Sequence, residues 1–400
     1  MKVSLKNERK VLKNKSVLLG VTGGVAAYKA LDVIRRLREE GDSVTVISTE
    51  AAGHFVTPLS LEVASGTKVY TDLFSDPLSH ITLPSQADIF LIAPATANSI
   101  GKFANGIADD LLSTCMLAFP GKVIIAPSMN WRMYENAVVQ ENLQKLVSRG
   151  FIQVGPDKGS LACGEEGWGR LADVPDIIEA VKSALTKKDL SKERIIVTAG
   201  PTREYIDPVR FLSNRSSGKM GYAIARAALR RGAEVTLISG YSPLQPPKGA
   251  TFVSADTAHD MLTAVRKNLN AATVLIMSAA VADFMPEEIS GEKIEKSDNF
   301  LLRLRLTPDI VSEAGRVKNR PFIVGFAAET GRRIENARKK LTEKNMDIIV
   351  FNDITAKDSG FDVDTNKVTI IDAEEERELM VMSKDAVADV LLDRMLEIKA

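Results

Sequence analysis

Two stretches of this chain repeat one another. RRLREEGDSVTVIS at residues 35–48 and RAALRRGAEVTLIS at residues 226–239 each read as the end of an amphipathic helix, a glycine stop and an apolar strand. An earlier strand and a glycine-bearing loop precede both copies, SVLLGVTGG at residues 16–24 and RIIVTAG at residues 194–200. Two such β-loop-α-β openings predict an α/β chain of two doubly wound parallel-sheet domains. The 400 residues are enough for two domains of common size.

Further apolar runs supply strands for both sheets. ADIFLIAPA, KVIIAPSM and FIQVG fall in the first half, and TVLIMSAAVA, FIVGFAAE and DIIVFND in the second. Runs this continuous suit strands buried on both faces. The lysine-rich SALTKKDLSKE at residues 183–193 reads as the linker, which divides the chain into residues 1–190 and 191–400. Residues 286–305 break the alternation with charges and predict an inserted flap. Residues 366–382 predict a terminal hairpin before a last helix.

Charge narrows the partners. Fifty-two basic residues balance fifty-two acidic ones, which argues against nucleic acid and anionic membrane as main partners. Two cysteines are too few for a disulfide scaffold and suggest a reducing compartment. With no run of apolar residues long enough to span a bilayer, the expected location is cytoplasmic.

The first loop, Gly20-Val-Thr-Gly23-Gly24-Val, does not match GxGxxG, and its second strand ends Ser48-Thr49-Glu50, hydroxyls standing where a ribose-binding acid is expected. Hydroxyls and helix N–H groups suit a terminal phosphate monoester, favouring a mononucleotide such as FMN; a glycine turn that only packs helix on strand fits the loop equally well. In the second half TREYIDPVRFLSNRSS separates Gly200 from Gly218 and Gly221. Met220 stands where a Walker A motif needs Ser or Thr, so that motif is rejected. The loop's Arg203, Arg210, Arg215 and Lys219 read either as an anion cradle or as a solvated surface.

Candidate chemical groups are few. His80 precedes the strand beginning at Ala87 and reads as a strand-end acid–base group or as an ordinary surface histidine. Asn130 follows another strand and fits a carboxylate clamp or a helix N-cap, the cap being favoured by spacing. Cys163 lies in the glycine-punctuated LACGEEGWGR, which suggests a lid, whereas Cys115 falls in an apolar helical run and reads as core. No Cys or His spacing matches a structural zinc site. Asp283 closes a long strand, Lys293 lies in the flap, Asp309 opens a helix, and Lys340 and Lys344 share a helix face.

The first half, with GVTGGVAAYKA, SHITL, APATAN, PSMNWRMY and LACGEEGWGR, resembles the flavin-dependent cysteine decarboxylases. The second, with TAGPTREYIDPVRFLSNRSSGKMG, SAAVADF, EKIEK, TPDIV and GFAAET, resembles the phosphopantothenate–cysteine ligases. In that order they look like the bifunctional decarboxylase/ligase family of coenzyme A biosynthesis.

The resemblance implies a flavodoxin-like FMN domain followed by a Rossmann-like CTP-dependent domain. It implies 4′-phosphopantothenate, L-cysteine, CTP and phosphopantothenoylcysteine as partners, with Mg2+ on the triphosphate. In the decarboxylase half it assigns catalysis to His80, Asn130 and Cys163, and flavin contacts to Gly23, Gly24, Ser48, Thr96, Asn98, Ser113 and Met129. In the ligase half it assigns catalysis to Asn214 and Lys293, substrate contact to Arg210 and Asn214, and CTP contacts to Ser278, Ala279, Asp283, Lys293, Pro308, Asp309, Ile310, Val311, Phe326, Lys340 and Lys344. It further implies a homo-oligomer, in which a trimeric decarboxylase shares its flavin site between subunits, a dimeric ligase pairs, and a dodecamer results. One departure is Glu295 in the flap, where some family members carry a base. A nucleotide-binding regulator without turnover is the alternative reading, opposed by the joint presence of His80, Asn130, Cys163, Asn214 and Lys293. An NAD(P)-dependent oxidoreductase is opposed by the missing GxGxxG.

Overall fold

The computed structural model describes residues 15–160, 164–329, 331, 334–353 and 363–400. The chain forms two compact units, Met1–Thr186 and Lys187–Ala400.

In the first unit, β1 (Ser16–Val21), β2 (Ser43–Ser48), β3 (Val69–Tyr70), β4 (Ile89–Ala95), β5 (Lys122–Pro127) and β6 (Ile152–Gln153) make one parallel sheet in the order β3-β2-β1-β4-β5-β6. Without the short edge strand β3 this is the flavodoxin order, and strand direction of travel reverses between β1 and β4. Val17, Leu19 and Val21 pack on one face with the helices Ala30–Glu39 and Val174–Leu185, while Leu18, Phe90 and Ile92 pack on the other with Ala97–Asn105 and Leu111–Ala118. The first of these helices buries Ala30, Val33, Ile34 and Leu37, the spacing of one apolar stripe. Burying Val33, Ile34 and Leu37 contributes roughly 1.5–3 kcal/mol each. Gly20 is required within β1, because a Cβ there would lie 2.5 Å from Leu112 Cδ1 and 2.7 Å from Ile92 Cδ1. A hairpin, β7 (Asp157–Ser160) and β8 (Glu166–Arg170), follows the sheet.

The second unit repeats the plan. Its sheet strands are β9 (Arg194–Ala199), β12 (Glu234–Ser239), β13 (Thr251–Ser254), β14 (Val274–Met277), β17 (Phe322–Glu329), β18 (Ile348–Asp353), β20 (Val368–Ile371) and β21 (Glu376–Glu378), in the order β13-β12-β9-β14-β17-β18-β20-β21. All pairings are parallel except the two at the β20 and β21 edge. The helices Lys219–Arg230 and Lys384–Lys399 cover one face, and Ala258–Leu269, Ile310–Gly315 and Ile334–Glu343 the other. Arg226 and Arg230 pair with Asp385 across the first helix pair, and Arg231 joins Asp189 to Asp393.

Short antiparallel pairs decorate this sheet: β10 (Arg203–Tyr205) with β11 (Phe211–Ser213), β15 (Phe284–Pro286) with β16 (Leu304–Leu306), and β19 (Thr365–Asn366) with β22 (Met382–Ser383). The β15–β16 pair forms the base of the flap read at residues 286–305. The direction of travel reverses between β9 and β14, where Pro201 bridges to Ala280. Ligands of open α/β sheets bind at such reversals, beyond the carboxyl ends of the strands. Among the described residues no helix is long and apolar enough to cross a membrane.

Candidate active sites

A cavity of about 1270 Å³ opens at the carboxyl ends of the first sheet. Gly23 and Gly24 from the loop after β1, Ser48 and Thr49 from the end of β2, Thr96 and Asn98 after β4, and Met129 and Asn130 after β5 all line it. Local sequence explains this convergence. A Cβ on Gly23 would stand 2.4 Å from the Ala51 Cβ, so glycine is what lets the two loops touch. Thr22 Oγ1 donates to the Pro94 carbonyl at 2.8 Å and accepts from Thr96 N at 3.1 Å, tying the ends of β1 and β4 together. Thr96 then caps the helix Ala97–Asn105, accepting from Ser99 N at 3.4 Å. The helix N-terminus and the row of hydroxyls suit an anionic terminus, while Leu111, Leu112, Met129 and Leu171 give the apolar walls a planar ring needs. The residues present therefore fit a flavin mononucleotide.

The β7–β8 hairpin is fastened beside this cavity. Gly169, at φ 142°, lies so close to Met129 that a Cβ would be 2.1 Å from its carbonyl oxygen, and Met129 N donates to Gly169 O at 3.0 Å. A Cβ on Gly167 would likewise stand 2.6 Å from the Trp131 Cβ. Glu165 accepts from Trp131 Nε1 at 2.6 Å and pairs with Arg132 at 3.0 Å. Also at the cavity wall, Lys102 pairs with Asp109 at 2.7 Å and Asp110 at 2.8 Å, and these carboxylates raise its pKa.

The second unit holds a cavity of about 660 Å³ at its own reversal point. Asn214 to Gly221, Ser278 to Asp283, Pro308 to Val311, Phe326, Lys340 and Lys344 share its wall. Asn214 Nδ2 donates to Val281 O at 2.9 Å, and Ser278 Oγ is buried without a partner among the described residues. Asp309 caps Ile310–Gly315, accepting from Ser312 N at 3.0 Å, and pairs with Lys344 at 2.9 Å. Burial acts to raise the Asp309 pKa, but the Ser312 bonds and Lys344 outweigh it and hold it low. Lys340 pairs with Glu329 at 2.7 Å. Cationic, hydroxyl and carboxylate groups around one opening suit a nucleoside triphosphate, with the buried Ser278 oxygen awaiting a partner.

Residues 5–186 match the Flavoprotein family, and residues 190–398 match the DNA/pantothenate metabolism flavoprotein C-terminal domain. The coenzyme A biosynthesis bifunctional protein CoaBC of Bacillus subtilis (strain 168) is 45% identical over 400 residues, covering 98% of each chain. This chain belongs to the bifunctional CoaBC family. The Escherichia coli (strain K12) protein of the same name is 44% identical over 96% of this chain and 97% of its own. A crystal structure of the C-terminal domain of a CoaBC protein is 41% identical, covering 53% of this chain and 98% of that one at a TM-score of 0.46. The chain is thus a bifunctional enzyme of coenzyme A biosynthesis, with an FMN-dependent decarboxylase half and a ligase half that uses CTP as co-substrate.

The two cavities gather most of the residues read from sequence. In the decarboxylase half Gly23, Gly24, Ser48, Thr96, Asn98, Met129 and Asn130 share one wall. Asn130 also proves to be the N-cap of Trp131–Tyr134, its Oδ1 accepting from Arg132 N at 2.9 Å. Ser113 does not line the cavity: its hydroxyl donates to Asp110 Oδ1 at 2.7 Å within the cap of Leu111–Ala118, one shell behind the wall. His80 sits on the helix Ser79–Ser85, outside the cavity wall, with Nδ1 buried and unpartnered among the described residues. Cys163 lies outside the described residues. Cys115 is fully buried, and burial pushes its thiol up to about 12.

In the ligase half, Arg210 and Lys293 stand apart from the cavity wall. Arg210 pairs with the buried Asp207 at 3.0 Å and donates to the flap carbonyl of Ile294 at 3.1 Å. Asp207 accepts from the backbone of Val209, Arg210 and Ile294. Neither Asp207 nor Glu165 stands in a sequence pattern that announces its distant partner.

Proposed function

We propose that residues 191–400 join L-cysteine to 4′-phosphopantothenate through an acyl-cytidylate made from CTP, and that residues 1–190 then decarboxylate the resulting phosphopantothenoylcysteine to 4′-phosphopantetheine. The observation that carries this reading is the convergence of Asn214, Asp283, Asp309, Phe326, Lys340 and Lys344 on one cavity of the second unit, the cavity of the first unit fitting a flavin.

In the ligase half, Asn214 holds and polarises the acyl intermediate, and Lys293 swings in from the flap to neutralise charge at the phosphates. Arg210 contacts the acid substrate while keeping the flap seated. Ser278, Ala279 and Phe326 hold the base end of the nucleotide, and Pro308 to Val311, Asp283, Lys340 and Lys344 its charged end. Lys340 and Lys344 exchange their carboxylate partners for phosphate oxygens. Mg2+, when bound with the nucleotide, would be held chiefly by the triphosphate and would offset its charge, since among the described residues no group of three or more His, Cys, Asp or Glu assembles.

In the decarboxylase half, bound FMN supplies oxidation of the substrate thiol and the return of the hydride, which gives the departing carboxylate's electrons a sink. Asn130 holds the substrate carboxylate with its amide, His80 assists deprotonation, and Cys163 delivers the final proton. Because His80 is not on the wall of its own cavity, a neighbouring copy completes the site. Exposed Phe74, Leu78 and Ile81 around it supply the apolar surface such an assembly buries. With this reading go the trimeric decarboxylase, the dimeric ligase, the dodecamer and the cytoplasmic location that the family resemblance implies.

Anaerobic mixing of the purified protein with phosphopantothenoylcysteine tests the decarboxylase assignment. Yellow protein that releases FMN on denaturation and liberates CO2 from this substrate is expected; a colourless protein that FMN does not reconstitute would overturn it.

A further inference from the structure

Asn352 Oδ1 is, like Ser278 Oγ, buried without a hydrogen-bond partner among the described residues, and both residues line the ligase cavity. Ser278 already belongs to the nucleotide set; Asn352 has no role assigned above. It lies near the end of β18, opposite Ala328 of β17. Along β18, Val350 packs against the helices Lys219–Arg230 and Lys384–Lys399, while Ile349 and Phe351 pack on the opposite face. Strand alternation therefore places Asn352 on the Val350 side. The same alternation from Ile276 places Ser278 there, and Phe326 packs on that side too. The two unpartnered oxygens stand on one side of the sheet, at strand ends flanking β17.

A buried acceptor without a donor is unfavourable in the ligand-free protein, and an apolar residue would suit this strand end better. The amide makes sense when a ligand brings the donor. Phosphate oxygens are mainly acceptors near neutrality and do not answer the need. Hydroxyl and N–H groups do, and the ligase substrates carry them on the nucleoside, the pantothenoyl chain and the cysteine amine.

We propose that Asn352 is a further substrate-contacting, specificity-determining residue of the ligase site, its side-chain oxygen accepting a hydrogen bond from a hydroxyl or N–H group of a bound substrate. The assignment rests on the ligase reading above.

The test uses the full chain with Asn352→Ala and Asn352→Leu. Pyrophosphate release is followed while CTP, 4′-phosphopantothenate and cysteine are varied in turn, and melting is recorded with and without each. The ligand-free melting temperature should stay unchanged or rise, because no bond is lost there. KM for one substrate should rise about tenfold in both variants, the size of one lost hydrogen bond, and that substrate should stabilise the variants less than wild type. The affected substrate identifies the donor: CTP for the nucleoside, phosphopantothenate for the acid, cysteine for the amine. A lowered ligand-free melting temperature with all KM values unchanged would make Asn352 purely structural and overturn the assignment, as would no change in any readout. A wild-type chain that ligates while both variants match it removes only Asn352; a wild-type chain that does not ligate removes the ligase reading and this assignment with it.

Discussion

The Glu165 carboxylate accepts a hydrogen bond from Trp131 Nε1 at 2.6 Å, and so fastens the β7–β8 hairpin to the segment that begins with Asn130. Two glycines make the approach possible, Gly167 against Trp131 and Gly169 against the Met129 carbonyl. Glu165→Ala should leave FMN content unchanged, because Glu165 is not on the cavity wall. Decarboxylation should fall about tenfold or more, since small misplacements of reacting groups are costly. Flavin absorbance and CO2 release measure the two effects separately; undiminished CO2 release would show that the clamp has no part in the chemistry.

Cys163→Ser should still bind flavin and consume substrate in a first half-reaction, then stall before product forms. Rapid-mixing flavin absorbance and product analysis report this. Turnover equal to wild type takes Cys163 out of the mechanism.

Both sheets were legible because helix, glycine stop and strand recur at the right periods, and buried parallel strands write themselves as apolar runs such as FIVGFAAE. The Asn130 cap was legible for the same local reason. Long-range partners were not. Nothing in the spacing of Arg210 reveals that it reaches the Ile294 carbonyl, 84 residues away. Nor does Ser113, directly after the wall residue Leu112, disclose that its hydroxyl turns back to Asp110. Asn352 lies next to the end of an apolar strand, where a polar residue ordinarily signals only the turn to follow.

Asp207 is the anchor of the ligase flap, and its titration has a defined sign. Burial acts to raise its pKa, but the N–H groups of Val209, Arg210 and Ile294 and the Arg210 charge outweigh it, holding the carboxyl below its ordinary 3.8. A carboxylate with a depressed folded-state pKa contributes its full stabilisation above the unfolded value and loses it as pH falls through the folded one. Hydrogen exchange at the Ile294 amide, corrected for intrinsic rate, should therefore stay protected from neutral pH down to the ordinary carboxylate range and open only below it. Opening already at mildly acidic pH contradicts this anchor. Asp207→Ala should lose the protection at neutral pH and raise KM for CTP about tenfold, since the freed Arg210 and Ile294 N–H groups are left to solvent.

Asn214 donates to the Val281 carbonyl at the cavity wall, and its removal should stop amide formation while the fold persists. For Asn214→Ala, melting within a few degrees of wild type with no phosphopantothenoylcysteine formed is the expected pair of results. Normal ligation overturns its role.

The central claim is that one chain performs two consecutive reactions in separate cavities. A coupled assay with 4′-phosphopantothenate, cysteine and CTP, following pyrophosphate and CO2 together, tests it directly. Pyrophosphate should appear first and CO2 should follow in equal amount; Cys163→Ser should release CO2 only to about one equivalent per bound flavin, and Asn214→Ala should release no CO2 and pyrophosphate only to about one equivalent per site. Pyrophosphate without any CO2 from flavin-loaded wild type, or neither product, would contradict the account.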